Sequence, residues 1–544
     1  MNARYFSFIS VIFLIISRSF LYGQETLFFS TYGSSNGDEE MESLIQTSDS
    51  GLLIAGTSDT YSSNNDLDLM LLKTGINGNV LWSKRYGGTA DDMALDVKET
   101  ADNGLIIAGW TQSFGAASYD FWILKTDANG NLQWQKRIGG SNEDQAWSVS
   151  VDINAYFVVG GTNSYGAGLT DLWAMKLDNN GNILWQNTYG SSGDDAPPGA
   201  YDEYAAKGII DQNGNYLISG TSDGVGHGST DIYLAKLNPA NGNIIWQYAY
   251  GNTDEESTWN FVESSSGGYY LPGNTTDPST YEGDLWVVYV DTSGAIQWQK
   301  TFGINNAWDE ALNATSLPDG SIVCASYAEQ NSSKWIATAL KIDVSGNLIW
   351  ANQYDAGGEL EWTNVVIPLN DNTLAFAGVT TNTAIWNEDL TLLRTNNSGK
   401  ISNCSDISAF TPVVTNTNTT QQPINLTVNN TTVSPINTSA SGNNVTVSKN
   451  VLCSELISDV NNEFLSDNLI VYPNPAKENI TIKFSAIQPE IISILYDQIG
   501  QEIERNIWLN TRSLNLSLKG APGLYFLELY GHKENRILVK ILKK

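Results

Sequence analysis

Acidic pairs recur along the chain at Glu39-Glu40, Asp91-Asp92, Glu143-Asp144, Asp202-Glu203, Glu255-Glu256 and Asp309-Glu310, and a further repeat keeps Glu361 alone in register. A ring of such carboxylates offers hard oxygen ligands, suited to a calcium ion or to the hydroxyls of a glycan. The plainer reading is that each carboxylate accepts N–H bonds from its own loop. Repetition favours that reading, because a binding site usually breaks the symmetry of a repeat. The candidate ligand or cation residues are therefore Asp144, Asp202, Glu203, Asp309 and Glu310. They are joined by His227, in the loop GTSDGVGHGSTD beside the insert SSGDDAPPGAYDEY. Trp259, Trp308, Trp362 and Trp386 also fall outside the repeated tryptophan position, and aromatic rings beside carboxylates suit sugar stacking or protein contacts. Turns such as Asp127-Asn129-Gly130-Asn131 look like calcium loops but lack the distal glutamate of such a loop. His227 is the one histidine before the C-terminal region, which argues against a Ser-His-Asp or zinc site. A glycosidase-like carboxylate pair stays open, although nothing singles one pair out.

The elements that must carry these residues are repeats. KTDANGNLQW returns as KLDNNGNILW and KIDVSGNLIW, with its tryptophan at Trp82, Trp134, Trp185, Trp246, Trp298 and Trp350, spaced 52, 51, 61, 52 and 52 residues apart. Each period reads as four strands, as in EDQAWSVSVD, YFVVGGT, DLWAMKLD and NILWQNTYG. Asn-Gly and Ser-Gly supply the positive backbone angles of a tight hairpin between the third and fourth. A period near 50 residues fits a four-stranded propeller blade. The repeated tryptophans read as blade packing. The seventh hairpin, RTNNSGKISN, has Asn403 where the tryptophan should stand, so its fourth strand is missing. LFFSTYG at Leu27–Gly33 is a spare one, with Phe28 in the tryptophan position. A closed ring of about seven blades follows, with no exposed sheet edge where the chain's two ends of the repeat meet. Over residues 27–403, the pattern Asp127-Gly130-Trp134 resembles the tryptophan-docking repeat of quinoprotein-type propellers. The dehydrogenases of that class carry a vicinal cysteine pair; none of the three cysteines here are adjacent, which argues against that cofactor.

Net charge of −31 repels a phosphate backbone, so nucleic acid is not an expected partner. The opening residues, 1–23, read as a secretory signal, with Arg4 before a short apolar run and Gly23 at the cleavage site. No later segment is apolar over a membrane-spanning length. Cys324, in SIVCAS, reads as a buried free thiol. Cys404 and Cys453 bracket CSDISAFTPVVTNTNTTQQPINLTVNNTTVSPINTSASGNNVTVSKNVLC, and in an exported chain they could pair. Residues 404–468 read as a Thr/Asn/Ser-rich β-type spacer or flexible linker.

From 469 to 544 alternation returns in NITIKF, IISILY, LNLSL and LYFLEL, which predicts a small β-sandwich. Over 470–544, ten Lys/Arg face seven Asp/Glu, so this end is slightly basic on an acidic chain. VYPNPAKENITIKF, LYDQIGQEI, LSLKGAPGLYFLELY and the terminal KILKK, in that order, look like the type A C-terminal sorting domain of type IX secretion in Bacteroidetes. The resemblance implies passage across the outer membrane, with the secretion translocon and its sortase as partners. It assigns the sorting motif to Tyr472, Pro473, Asn474, Pro475, Gly500, Gly523, Tyr525, Lys540, Lys543 and Lys544.

The sequence thus predicts an all-β protein: a signal over 1–23, a propeller over 24–403, a spacer over 404–468 and a sorting domain over 469–544. The expected function is non-catalytic binding of a glycan or protein at the cell surface. Calcium is the cofactor that the acidic positions suggest. A polysaccharide hydrolase or lyase is the first alternative, and a structural surface or matrix component the second.

Overall fold

The computed structural model describes residues 26–456 and 470–543, apart from 35–36, 61–65, 115–117, 196–205, 278–281, 304–307, 332–333, 383–386, 418, 425, 435, 441, 473–476, 478, 498–501, 519–521 and 531–535. The expected signal, residues 1–23, lies outside the described residues. The chain divides into two compact units, Met1–Leu456 and Ile457–Lys544. The described residues contain strands and turns but no α-helix, and no helix is long and apolar enough to cross a membrane.

The first unit holds seven antiparallel sheets. Sheet 3 shows the common plan: Asp144–Asp152, Ala155–Thr162, Asp171–Asp178 and Ile183–Gly190 pair in chain order. In sheet 1 the second and third strands, LLIAGTS and DLMLLKT, are buried throughout, as such hydrophobic runs require. The third-to-fourth hairpin turns on a glycine with positive φ, as at Gly130 (71°) and Gly181 (74°). Asp127 Oδ1 accepts the N–H groups of Asn129 and Asn131, so the calcium-like carboxylate serves its own turn. The four-strand sheets open with Glu39–Gln46 in sheet 1, Asp92–Glu99 in sheet 2, Ala206–Ile210 in sheet 4, Asp309–Ser316 in sheet 6 and Leu360–Pro368 in sheet 7. Sheet 5 splits this first strand into Glu255–Ser257 and Val262–Glu263.

Sheet 7 is completed from the N-terminal end. Thr26–Gly33 pairs with Asn387–Thr395, and Phe28 faces Arg394 in the register in which Trp134 faces Lys125. The first strand of sheet 1 packs against those of sheets 2 and 7, so the succession of sheets returns to its start. Asn364 Nδ2 donates to Met41 O, and Glu388 N to Asp38 Oδ1, across that closure.

The segment expected to be a spacer belongs to the first unit instead. Ile407–Ala409, Val413–Asn416, Thr420–Pro423, Thr427–Asn430, Ile436–Asn437, Asn443–Asn444 and Ser448–Leu456 each add a fifth, outer strand to one sheet. They visit sheets 6, 5, 4, 3, 2, 1 and 7 in turn, against the chain order of the sheets. We call residues 404–456 the belt. A bond between Cys404 and Cys453, 49 residues apart, joins its two ends. The physical reason is edge pairing: each outer strand has free N–H and C=O groups, and a Thr/Asn-rich extended chain can satisfy them without needing a core of its own. The belt advances seven residues per sheet. Thr419, Leu426, Ala440 and Val447 are buried at that spacing, with Val433 partly buried in the same series. Between them, the indole N–H of Trp286, Trp173 and Trp122 donates to Thr417, Thr431 and Thr438. Gln299, Gln186 and Gln135 donate to the carbonyls of Thr419, Val433 and Ala440.

In the second unit, Asn479–Tyr496 and Glu502–Ser517 are long partners whose pairing shifts register between Lys483 and Gln488. Topologically this is one antiparallel sheet, where alternation predicted two packed layers. Residues from both sides of the shift, such as Ile482 and Leu495, share one core with Tyr525, Leu527 and Ile541.

Candidate functional site

The acidic positions sit where each first strand begins. Asp144 is fully buried; it accepts Gly140 N at 2.7 Å, Ser164 Oγ at 2.8 Å and the Thr162 hydroxyl. Asp92 repeats this with Gly88 N, Ser113 Oγ and Thr111 Oγ1. Glu39 takes Ser34 N, Ser58 Oγ and Thr60 Oγ1, Glu256 takes Asn252 N and Thr275 Oγ1, and Glu361 takes Gly358 N and Thr380 Oγ1. Each carboxylate therefore latches the end of one outer strand to the second strand of the next sheet. Burial pushes their carboxyls upward, Asp144 to about 6 and Glu256 and Glu361 to about 7. Among the described residues, the acidic ring does not gather three carboxylates at metal-ligand spacing. The one such group is Cys404, Asp406 and Cys453, whose thiols are already joined to each other.

Asp202 and Glu203 lie outside the described residues. The latch of sheet 4 is Asp195, buried, with Ser191 N and Ser222 Oγ as donors. A sequence signal for it existed: Asp195 stands five residues after Gly190, as Asp92 does after Gly87 and Asp144 after Gly139. A second carboxylate series also went unread. Asp68, Asp120 and Asp171 open the third strands, and a Cβ at Gly87, Gly139 or Gly190 would lie 1.3, 1.6 or 1.5 Å from their oxygens. The repeated glycine that closes the fourth strand of sheets 1, 2 and 3 is thus a space requirement.

His227 engages the belt. Its Nδ1 lies 2.8 Å from Gln422 Nε2, and its backbone N donates to Asp231. With Asn252, Thr253, Thr417 and Thr420 it lines a cavity of about 500 Å³. Cys324 is buried as a free thiol, its pKa pushed by burial to about 12.

The repeated tryptophans cover the neighbouring hairpin. The indole N–H of Trp134, Trp185, Trp298 and Trp350 donates to the carbonyls of Asn179, Pro239, Val344 and Asn397. Trp82 lies over Gly130, and Trp246 packs with Tyr248, ring centroids 5.6 Å apart.

Sheet 6 departs from the pattern. Its latch position by strand register is Asp309, two residues before the bulge that follows Ala311, as Asp144 precedes Ala146. Glu310, one place on, is buried and meets aromatic donors: Tyr327 Oη at 2.8 Å, Trp308 Nε1 at 3.2 Å and Trp259 Nε1. Trp335 stacks on Tyr327, ring centroids 5.0 Å apart and 8° from parallel. Trp259, Trp308 and Trp335 are all half-buried. Burial pushes the Glu310 carboxyl up while these donors oppose the shift. Trp362 is half-buried at the start of sheet 7, and Trp386 lies outside the described residues.

In the second unit, Tyr472 pairs with Thr481, Tyr525 is buried in the core and pairs with Ile541, and Phe526 pairs with Lys540. Gly523 pairs with Lys543, whose ammonium donates to Leu518 O at 2.7 Å. Pro473, Asn474, Pro475, Gly500 and Lys544 lie outside the described residues.

Residues 470–544 match the family described as a secretion system C-terminal sorting domain. The chain is thus exported across the outer membrane by type IX secretion, to the cell surface or the extracellular space. Over 160 residues it is 26% identical to the regulatory protein FlaEY of Caulobacter vibrioides, covering 27% of this chain and 14% of that protein's length. Among solved structures, an ulvan lyase of polysaccharide lyase family PL25, bound to -[GlcA(1-4)Rha3S]-, is 10% identical with a TM-score of 0.40, over 68% of this chain and 96% of that one. A GH43 β-1,3-galactosidase is 12% identical with a TM-score of 0.28, over 73% of this chain and 77% of that one.

Proposed function

We propose that the seven sheets are the blades of a β-propeller closed by the N-terminal strand, and that the exported protein is a non-catalytic glycan-binding protein. The observation that carries this reading is the aromatic group around Glu310. One buried carboxylate fixes the polar edges of two indoles and a buried phenol, a third indole stacks on the phenol, and the three indoles stay half-buried. Rings held in advance lose little freedom when an apolar sugar face settles on them. The site also breaks the repeat, where the other acidic positions are used to fasten sheets. Calcium has no part in this reading, because the latch carboxylates already have protein donors.

The test is binding of the full-length chain to a panel of polysaccharides, followed by tryptophan fluorescence, with a chelator arm and an assay for new sugar ends run alongside. Saturable binding without cleavage is expected. It should weaken about tenfold or more in Trp308→Ala and in Trp335→Ala, as for anchor residues of an interface, and stay unchanged in Trp134→Phe. Cleavage of the bound polysaccharide, or full binding by both alanine variants, would sink the proposal.

A further inference from the structure

The donors and acceptors around the aromatic group of sheet 6 are unequally used. The indole N–H groups of Trp259 and Trp308 and the phenol of Tyr327 are committed to Glu310. Lys334, which precedes the stacked Trp335 in the chain, pairs with Asp355 at 2.9 Å. Among the described residues, the indole N–H of Trp335 is the ring donor left uncommitted.

Acceptors stand open on the same side. Glu310 lies opposite Tyr327, and Glu329 opposite Trp335, in the pairings of sheet 6. Tyr327 and Glu329 alternate along one strand, so their side chains share a face. Residues directly opposite each other hold their Cβ atoms about 5 Å apart, which sets the Glu329 carboxylate beside the stacked rings. Glu329 N donates to Trp308 O at 2.9 Å, and Trp335 N to Glu359 O at 3.1 Å, so a second acidic residue borders the group. Glu329 is half-buried and Glu359 exposed. Among the described residues, neither carboxylate has a protein donor. An incoming carboxylate or sulfate would meet two like charges, with the one neighbouring ammonium already paired. A sugar hydroxyl would instead find acceptors for its proton.

We propose that the aromatic group selects a neutral glycan, one without uronate or sulfate groups, and that Glu329 and Glu359 set this choice by accepting hydroxyls and repelling anionic chains. The inference rests on the glycan-binding reading and adds the class of sugar to it.

The experiment titrates the full-length chain with β-glucan, galactan and mannan, each beside its C6-oxidised form, in which the primary alcohols have become uronates. At least one neutral form should bind saturably, and its oxidised form about tenfold more weakly at low salt. Raising the salt from about 20 mM to about 500 mM should narrow that gap, while binding of the neutral form stays level. That readout needs no variant to fold. Glu329→Gln combined with Glu359→Gln should narrow the gap at low salt. It should also retain the neutral form, because each glutamine keeps an acceptor oxygen. An oxidised form that binds as tightly as its parent, or a gap that neither salt nor the double variant moves, would overturn the neutral class and leave the glycan-binding reading standing. Saturable binding of none of the six forms would overturn both.

Discussion

The sheets and the belt are both repeats, and they are held by different physics. A sheet of the ring takes about 52 residues of sequence and buries both faces of its middle strands. The belt spends seven residues on each sheet, lies mostly at the surface and contributes as few as two paired residues, as at Asn443–Asn444. The ring is therefore stabilised by apolar area removed from water. The belt depends on edge hydrogen bonds, on single buried side chains at seven-residue spacing and on one covalent closure. A segment with almost no hydrophobic core can still be ordered when another part of the chain presents it with a row of unpaired edges.

The largest test of this contrast is removal of the belt. Replacing residues 404–456 with a short Gly/Ser linker should uncover outer edges on all seven sheets. The unfolding temperature should fall by about 10 °C or more, with light scattering rising on heating. An unchanged melt would mean that the ring needs no edge cover. Next in size is Cys453→Ser. Opening a closure of 49 residues should cost about 2–4 kcal/mol in denaturant unfolding, with the same loss on adding reductant to the unaltered chain. Amide exchange should quicken through 404–453 and stay slow in the second and third strands; a uniform rise would erase the distinction between ring and belt.

A pH series separates the two further. The latch carboxyls of the ring, Asp144 at about 6 and Glu256 and Glu361 at about 7, titrate above their ordinary values because they are buried. A raised pKa in the fold means that their contribution is fully present below the ordinary carboxyl range and is lost as pH rises through about 6 to 7. The chain should therefore melt higher at pH 5 than at pH 8. Asp144→Asn should flatten part of that slope. The belt's only carboxylates are Asp406 and Glu455, so its deletion should leave the slope in place. A smaller effect is expected from Thr431→Val, which leaves the buried Trp173 indole N–H without its acceptor at a cost of about 1 kcal/mol. Trp134→Phe, at a half-buried ring position, should cost less.

Strand order, the tight hairpins and the completion of sheet 7 by Thr26–Gly33 were legible in the sequence, because alternation, Asn-Gly turns and the Trp-Lys register are local patterns. The acidic positions were legible as a series, but their doubling hid which member does the fastening: the second in Asp91-Asp92 and the first in Glu39-Glu40. Asp195 was missed because a richer acidic pair follows it, at Asp202-Glu203. The belt was read as a spacer. Its seven-residue period is carried by residues as unlike as Thr419, Leu426 and Ala440, and no hydropathy pattern marks a strand whose partner supplies the core.

What the sequence determined by itself is the repeated unit and the C-terminal export signal, since hairpin turns and four ordered sorting blocks are written in neighbouring residues. What only the tertiary structure decided is where the unlike parts meet. Trp259 and Glu310 are 51 residues apart, Asp96 and Lys207 are 111, and Trp122 and Thr438 are 316. Contacts over such separations depend on which strands lie side by side and in which register, and those are properties of the packed sheets as a whole.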